Sequence, residues 1–142
     1  MPKPDKVVVL KSRRLMVLMK GDEKIKEYKV ALGTDPVGPK IREGDHKTPE
    51  GLYVLDRRNP KSRFYKSIHI SYPSPQDRER ASNLGVAPGG DVMIHGLPNG
   101  FGWLGHVHLS RDWTDGCIAV TDDEMDEIWG MVADGTPIEI KP

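Results

Sequence analysis

Hydrophobic positions along this chain come in short, mostly alternating bursts separated by polar turns, the period of half-buried strands. "KVVVLKS", beginning at Lys6, is a β-branched run. "RRLMVLMKGDEKIKEYKVALG" holds two apolar stretches joined around Lys20-Gly21-Asp22, which predicts a hairpin. Ile25, Tyr28, Val30 and Leu32 alternate only roughly on its second arm, which predicts a bulge there. From Gly33 to Gly51 glycine, proline, aspartate and lysine dominate, so this stretch reads as a long surface connection of the kind that often carries function. "LYVLDRR" and "KSIHISYP" predict two more strands, "DVMIHG" a buried strand ending at His95-Gly96, and "CIAV" a short one. "TPIEIKP" closes the chain as a strand with Ile138 and Ile140 inward and Glu139 outward.

Two segments carry helix signals instead. In "SPQDRERASNLG", Ser74 can cap, Pro75 suits the first helical position and Gly85 the closing one. In "TDDEMDEIWGMVADG", Thr121 and Glu124 form a capping box, and Met125, Ile128, Trp129 and Val132 share one apolar face, with Trp129 expected in the core. The chain has no internal repeat, low-complexity tract or linker. The expectation is a single domain over residues 1–142, mainly β, a sandwich or partly closed barrel with two short helices.

Composition narrows the function classes. At 142 residues the chain can bury a continuous core without cross-links. Lysine plus arginine and aspartate plus glutamate both number 21, and the zero net charge argues against a nucleic-acid partner. No stretch is long and apolar enough to span a bilayer. "MPKPDKVVVLKS" has a basic start but only a short apolar run, and does not read as a signal peptide. The single cysteine, Cys117, excludes an internal disulfide and a cysteine-rich zinc site.

A lone cysteine is usually a small buried hydrophobe. Cys117, however, opens a strand directly after a turn, which places its sulfur at a sheet end near solvent. His95, His106 and His108 precede it within "DVMIHGLPNGFGWLGHVHLSRDWTDGCIAV". A nearby imidazole can take the thiol proton, and the side-chain-free Gly116 lets backbone amides approach an oxyanion. A second reading stays open. If "HVH" is a strand, His106 and His108 point to one side and could join His95 as zinc ligands of a hydrolase.

"IHG" followed by "T-x-G-C-I-x-V" resembles the catalytic region of the L,D-transpeptidase (YkuD-like) family: a His-Gly or His-Ser step, a loop, then Ser/Thr-His-Gly-Cys, a hydrophobic residue and Arg or Asn. "GDHKTPEGLYVL", "ISYP", the second helix and "GTPIEI" follow the family's order over nearly the whole chain. The resemblance implies a YkuD-like fold and a cysteine acyltransferase without metal or organic cofactor. It implies Cys117 as nucleophile, His95 as general base with the Gly96 carbonyl holding its tautomer, and an oxyanion hole from the amides of Gly116, Cys117 and Asp115. Thr114 would steady the motif loop, and His108, Trp113, Arg111 and Tyr72 would contact substrate. The implied substrates are peptidoglycan stem peptides, cross-linked or trimmed of the terminal D-alanine through a thioester. Carbapenem β-lactams would be inhibitors, the compartment periplasmic or extracellular, and the role cell-wall biogenesis and cell shape. Asp115 stands where the family pattern has histidine and Ala119 where it has Arg or Asn; Arg111, or a basic residue of the 40–47 loop, would have to replace the latter. A hydrolase of the same fold, trimming or cleaving the stem as a carboxypeptidase or amidase, is the alternative, and a non-catalytic wall-binding module the rival from another class.

Overall fold

The computed structural model describes residues 3–142; Met1 and Pro2, which begin the segment weighed above as a leader, lie outside the described residues. Eight strands form one continuous sheet: β1 Lys6–Leu10, β2 Leu15–Lys20, β3 Glu23–Lys29, β4 Gly51–Asn59, β5 Ser67–Ile70, β6 Met93–His95, β7 Ile118–Ala119 and β8 Pro137–Lys141. Their order is β3-β2-β1-β8-β4-β5-β6-β7. The two ends of that order meet. Ala31, just beyond β3, exchanges backbone hydrogen bonds with Ala119 of β7 (3.1 and 2.9 Å). Of the two arrangements expected, the curled, partly closed barrel is the one formed.

Alternation builds the interior. β1 and β8 pair in parallel, which sets Val7 beside Ile138 and Val9 beside Ile140, all four buried, while Glu139 turns outward to pair with Lys6. The β2–β3 hairpin turns at Gly21-Asp22, and its register slips by one residue at Ile25, the bulge its irregular alternation predicted.

Helix α1, Pro75–Asn83, is capped by Ser74, whose partner across the capping box is Asp77. Helix α2, Asp122–Met131, has the Thr121–Glu124 box, and it buries Met125 and Ile128. Trp129 departs from expectation. It is half-buried at the helix edge, between the Arg58 guanidinium (4.7 Å from the ring centroid) and the Lys66 ammonium (5.3 Å).

The long 33–51 connection is a fixed wall. Buried Lys11 donates to the carbonyls of Gly38 (2.9 Å) and Thr48 (2.6 Å) and pairs with Glu50 (3.1 Å). Asp45 accepts from the amides of Ile41, Arg42 and Lys47 and from Lys40, and these bonds hold its carboxyl down at about 2 against the opposing effect of burial. No helix among the described residues is long and apolar enough to cross a membrane.

Candidate active site

The site lies at the seam where the curled sheet closes. β6 is hydrogen-bonded to β5 on one side and, in parallel, to β7 on the other, with His95 opposite Ser67 and Ala119. Small neighbours on both flanks leave room for the imidazole. Cys117 precedes β7 by one residue, so the period of two turns its side chain to the same face as His95. Both residues line a cleft of about 380 Å³, walled also by Lys40, His46, Arg63, Phe64, Asp91 and the 114–116 turn.

The His95 ring is fully buried, stacked on Phe64 (centroids 3.8 Å apart, planes 10° apart) and 5.9 Å from the Trp113 ring. Nδ1 lies 2.7 Å from the Gly96 carbonyl. A carbonyl only accepts, so Nδ1 carries the proton, and Nε2 presents a bare lone pair with no partner. Burial, aided slightly by His108 and Arg63, lowers this imidazole to about 4 and keeps it neutral at pH 7. Cys117 is nearly buried, and its thiol donates to the Asp91 carbonyl at 3.4 Å. Burial pushes the thiol up to about 11, with the charges of Asp115 and Asp91 adding to the rise and the Met93 amide and Lys40 opposing it. At rest the pair is therefore a thiol and a neutral imidazole.

Thr114 ties the turn. Its buried hydroxyl donates to the Cys117 carbonyl (2.8 Å) and accepts from the Gly116 amide (3.1 Å). That second bond departs from one expectation: the Gly116 amide, expected to face an oxyanion, is already occupied by the Thr114 hydroxyl. Gly116 sits at φ +142°, and a Cβ there would lie 2.7 Å from the Lys47 carbonyl, so only glycine fits without movement. Gly33 faces it across the seam; a Cβ on Gly33 would sit 3.1 Å from the Gly116 Cα and collide with the His46 carbonyl. The Asp115 side chain is exposed, 3.5 Å from His46 Nδ1.

The other candidates disperse. Trp113, His108 and Arg111 line a separate, mostly apolar groove of about 340 Å³ with Leu97, Pro98, Phe101, Leu104 and Val107, and Trp113 stands between that groove and His95. The Trp113 indole N–H donates to His108 Nδ1 at 3.2 Å. Tyr72, expected at the cleft, is instead in the core, where its hydroxyl donates to the Pro88 carbonyl at 2.8 Å. "HVH" is not a strand but part of a 3₁₀ segment, Gly102–Ser110, kinked at Gly105, so His106 and His108 do not share a face. His106 is exposed beside Glu124 (3.4 Å) while His108 is buried, and the arrangement required for a three-histidine zinc site is not formed. Among the described residues no group of three or more His, Cys, Asp or Glu side chains is positioned to hold a metal ion. Ala119, at the position of the family's Arg or Asn, is fully buried in the seam. Arg63, Phe64 and Asp91 line the cleft without having carried any sequence signal.

Residues 4–140 match the model of the L,D-transpeptidase catalytic domain (YkuD). YafK of Escherichia coli K12, whose name carries the same family assignment, is 36% identical over 107 residues, 74% of this chain and 36% of YafK. The helical cell shape determining protein Pgp2 of Campylobacter jejuni superposes with a TM-score of 0.72 at 26% identity, over 96% of this chain and 48% of Pgp2. The L,D-transpeptidase LdtMt1, solved in complex with imipenem, shares the fold at a TM-score of 0.60 and 16% identity, over 95% of this chain and 57% of LdtMt1. The chain thus spans about a third of YafK and about half of Pgp2.

Proposed function

This chain belongs to the L,D-transpeptidase catalytic-domain family, and on that premise we propose that it is a cysteine acyltransferase acting on peptidoglycan stem peptides, with residues 1–142 forming one catalytic domain. The observation that carries this reading is the shared cleft, lined by Cys117 and by an imidazole whose Nε2 lone pair is free.

The chemistry balances as follows. As the sulfur attacks the carbonyl of the third stem residue, a diamino acid, the thiol proton passes to His95 Nε2. The Gly96 carbonyl, on Nδ1–H, steadies the imidazolium that forms. The amides of Cys117 and Asp115 receive the oxyanion. When the tetrahedral adduct collapses, the C–N bond breaks, His95 returns its proton to the leaving nitrogen, and D-alanine departs from a thioester. An amine of a neighbouring stem, or water, then attacks the thioester and gives its proton to His95; the C–S bond breaks and the thiol is restored. An amine yields a cross-link and water yields a trimmed stem.

Peptidoglycan lies outside the cytoplasmic membrane, so this reading implies a periplasmic or extracellular site of action. A part in cell shape agrees with the role that the name of Pgp2 states for that protein. The test is incubation with purified muropeptides and identification of the products by mass. Cys117→Ala should abolish every product while leaving the fold intact. Turnover at the normal rate by that variant would overturn the assignment of Cys117, whereas binding of muropeptides without any product from the unmodified protein would favour a non-catalytic, wall-binding role.

A further inference from the structure

The cations lining the cleft differ in how far they are already spent. Lys40 is buried, its ammonium paired with Asp45 at 2.9 Å and donating to the Arg42 carbonyl at 3.2 Å. His46 faces Asp115. Arg63 is exposed, and among the described residues no carboxylate lies within ion-pair distance of its guanidinium. Its backbone is anchored, since the Arg63 carbonyl accepts from the Asn99 amide at 3.1 Å. Its guanidinium carbon lies 5.8 Å from the Phe64 ring centroid, and Phe64 is the ring stacked on His95. The free positive charge therefore stands on the imidazole side of the cleft. Asp91 and Asp115 act on the sulfur side, where a bound anion would be repelled.

His95 has to return its proton to the leaving nitrogen, so the departing residue must sit at the His95 end, within the field of Arg63. We propose that Arg63 is the carboxylate-recognition residue of this cleft, selecting peptides in which a free α-carboxylate follows directly after the bond that Cys117 attacks. A planar guanidinium suits this task, because its paired N–H groups match both carboxylate oxygens. The proposal rests on the acyl-transfer reading above and adds to it the residue that reads the free terminus of the departing D-alanine.

The experiment is calorimetric titration of the Cys117→Ala protein, which binds without turning over, with a stem tetrapeptide and with its C-terminal amide. The free acid should bind about tenfold more tightly, the scale of one partly solvated guanidinium–carboxylate contact. In the Cys117→Ala, Arg63→Gln protein the preference should fall to within about twofold, and Arg63→Lys should retain part of it. A preference that survives Arg63→Gln overturns the proposal, as does its absence from the Arg63 protein or a failure of both peptides to bind. The two readings fail separately. A carboxylate preference in binding without muropeptide turnover by the Cys117 protein would sink acyl transfer and leave Arg63 its role, whereas turnover without the preference would do the reverse.

Discussion

Replacing Thr114 by valine keeps the shape of the side chain and removes one hydroxyl with two tasks. The Cys117 carbonyl loses its 2.8 Å donor and the Gly116 amide its 3.1 Å acceptor, both in a buried turn. Each buried polar group left without a partner costs about 1–3 kcal/mol, so the pair costs about 2–6 kcal/mol. A methyl in place of the hydroxyl returns under about 1 kcal/mol of apolar burial. The expected net loss is about 1–5 kcal/mol. Thr114→Ser is the control, since it keeps both hydrogen bonds and loses only a methyl, for about 1 kcal/mol. Urea unfolding, with midpoints compared at equal slope, measures both. Muropeptide turnover should fall further in the valine protein than in the serine protein, because the freed turn no longer fixes the sulfur in the cleft it shares with His95. Equal stabilities of the two variants, within about 0.5 kcal/mol, would refute the view that this hydroxyl holds the nucleophile turn.

Gly116→Ala forces a side chain onto a backbone at φ +142° with the Lys47 carbonyl in its path; the expected loss is roughly 3 kcal/mol, about 10 °C in Tm by thermal melting. His95 gives a pH signature with a definite sign: its folded-state value of about 4 lies below the ordinary 6.5, so stability is full above pH 6.5 and falls as the unfolded chain takes up a proton, by about 3 kcal/mol on reaching pH 4. His95→Gln should remove that part of the acid slope in urea unfolding, and an unchanged slope would refute the burial argument. The acid limb of kcat/KM should correspondingly lie near pH 4 rather than 6.5. A carbapenem should add one adduct per chain by intact mass, absent from Cys117→Ala, and an adduct on that variant would place the acylation elsewhere.

What could be read from sequence was whatever is encoded within a few residues. The alternation of Val7, Val9, Ile138 and Ile140 and the Thr121–Glu124 box name their own geometry, so the strands and the second helix appear where expected. The irregular spacing around Ile25 announced the bulge. The 3₁₀ segment from Gly102 to Ser110 had no comparable mark: its apolar residues follow no period and Gly105 kinks it, so "HVH" could pass for a strand. Tyr72 was misplaced because a tyrosine next to a proline carries no local record of which side of a curled sheet it will face. The cleft itself is long-range. His95 and Cys117 share it only because β6 and β7 pair in parallel, and Arg63 and Phe64 reach His95 from the connection between β4 and β5. Motif resemblance could propose the first pair; nothing local pointed to the second.

The electrostatics of the cleft bear on when the nucleophile forms. A thiol near 11 beside an imidazole near 4 means that moving the proton costs roughly 10 kcal/mol in the empty site. A turnover of a few per second corresponds to a total barrier of about 17 kcal/mol, so a free thiolate is too costly to be a resting species, yet it can be formed as part of the attack. Coupling the proton transfer to charge development on the substrate carbonyl would lower that cost, because donors aimed at the oxyanion stabilise the charge as it forms. Substrate also changes the base. Burial is the larger cause of the low His95 value, but the Arg63 cation contributes in the same direction. With a substrate carboxylate seated on Arg63, as proposed, that contribution would be offset, and Nε2 would gain basicity when a scissile bond is present to use it.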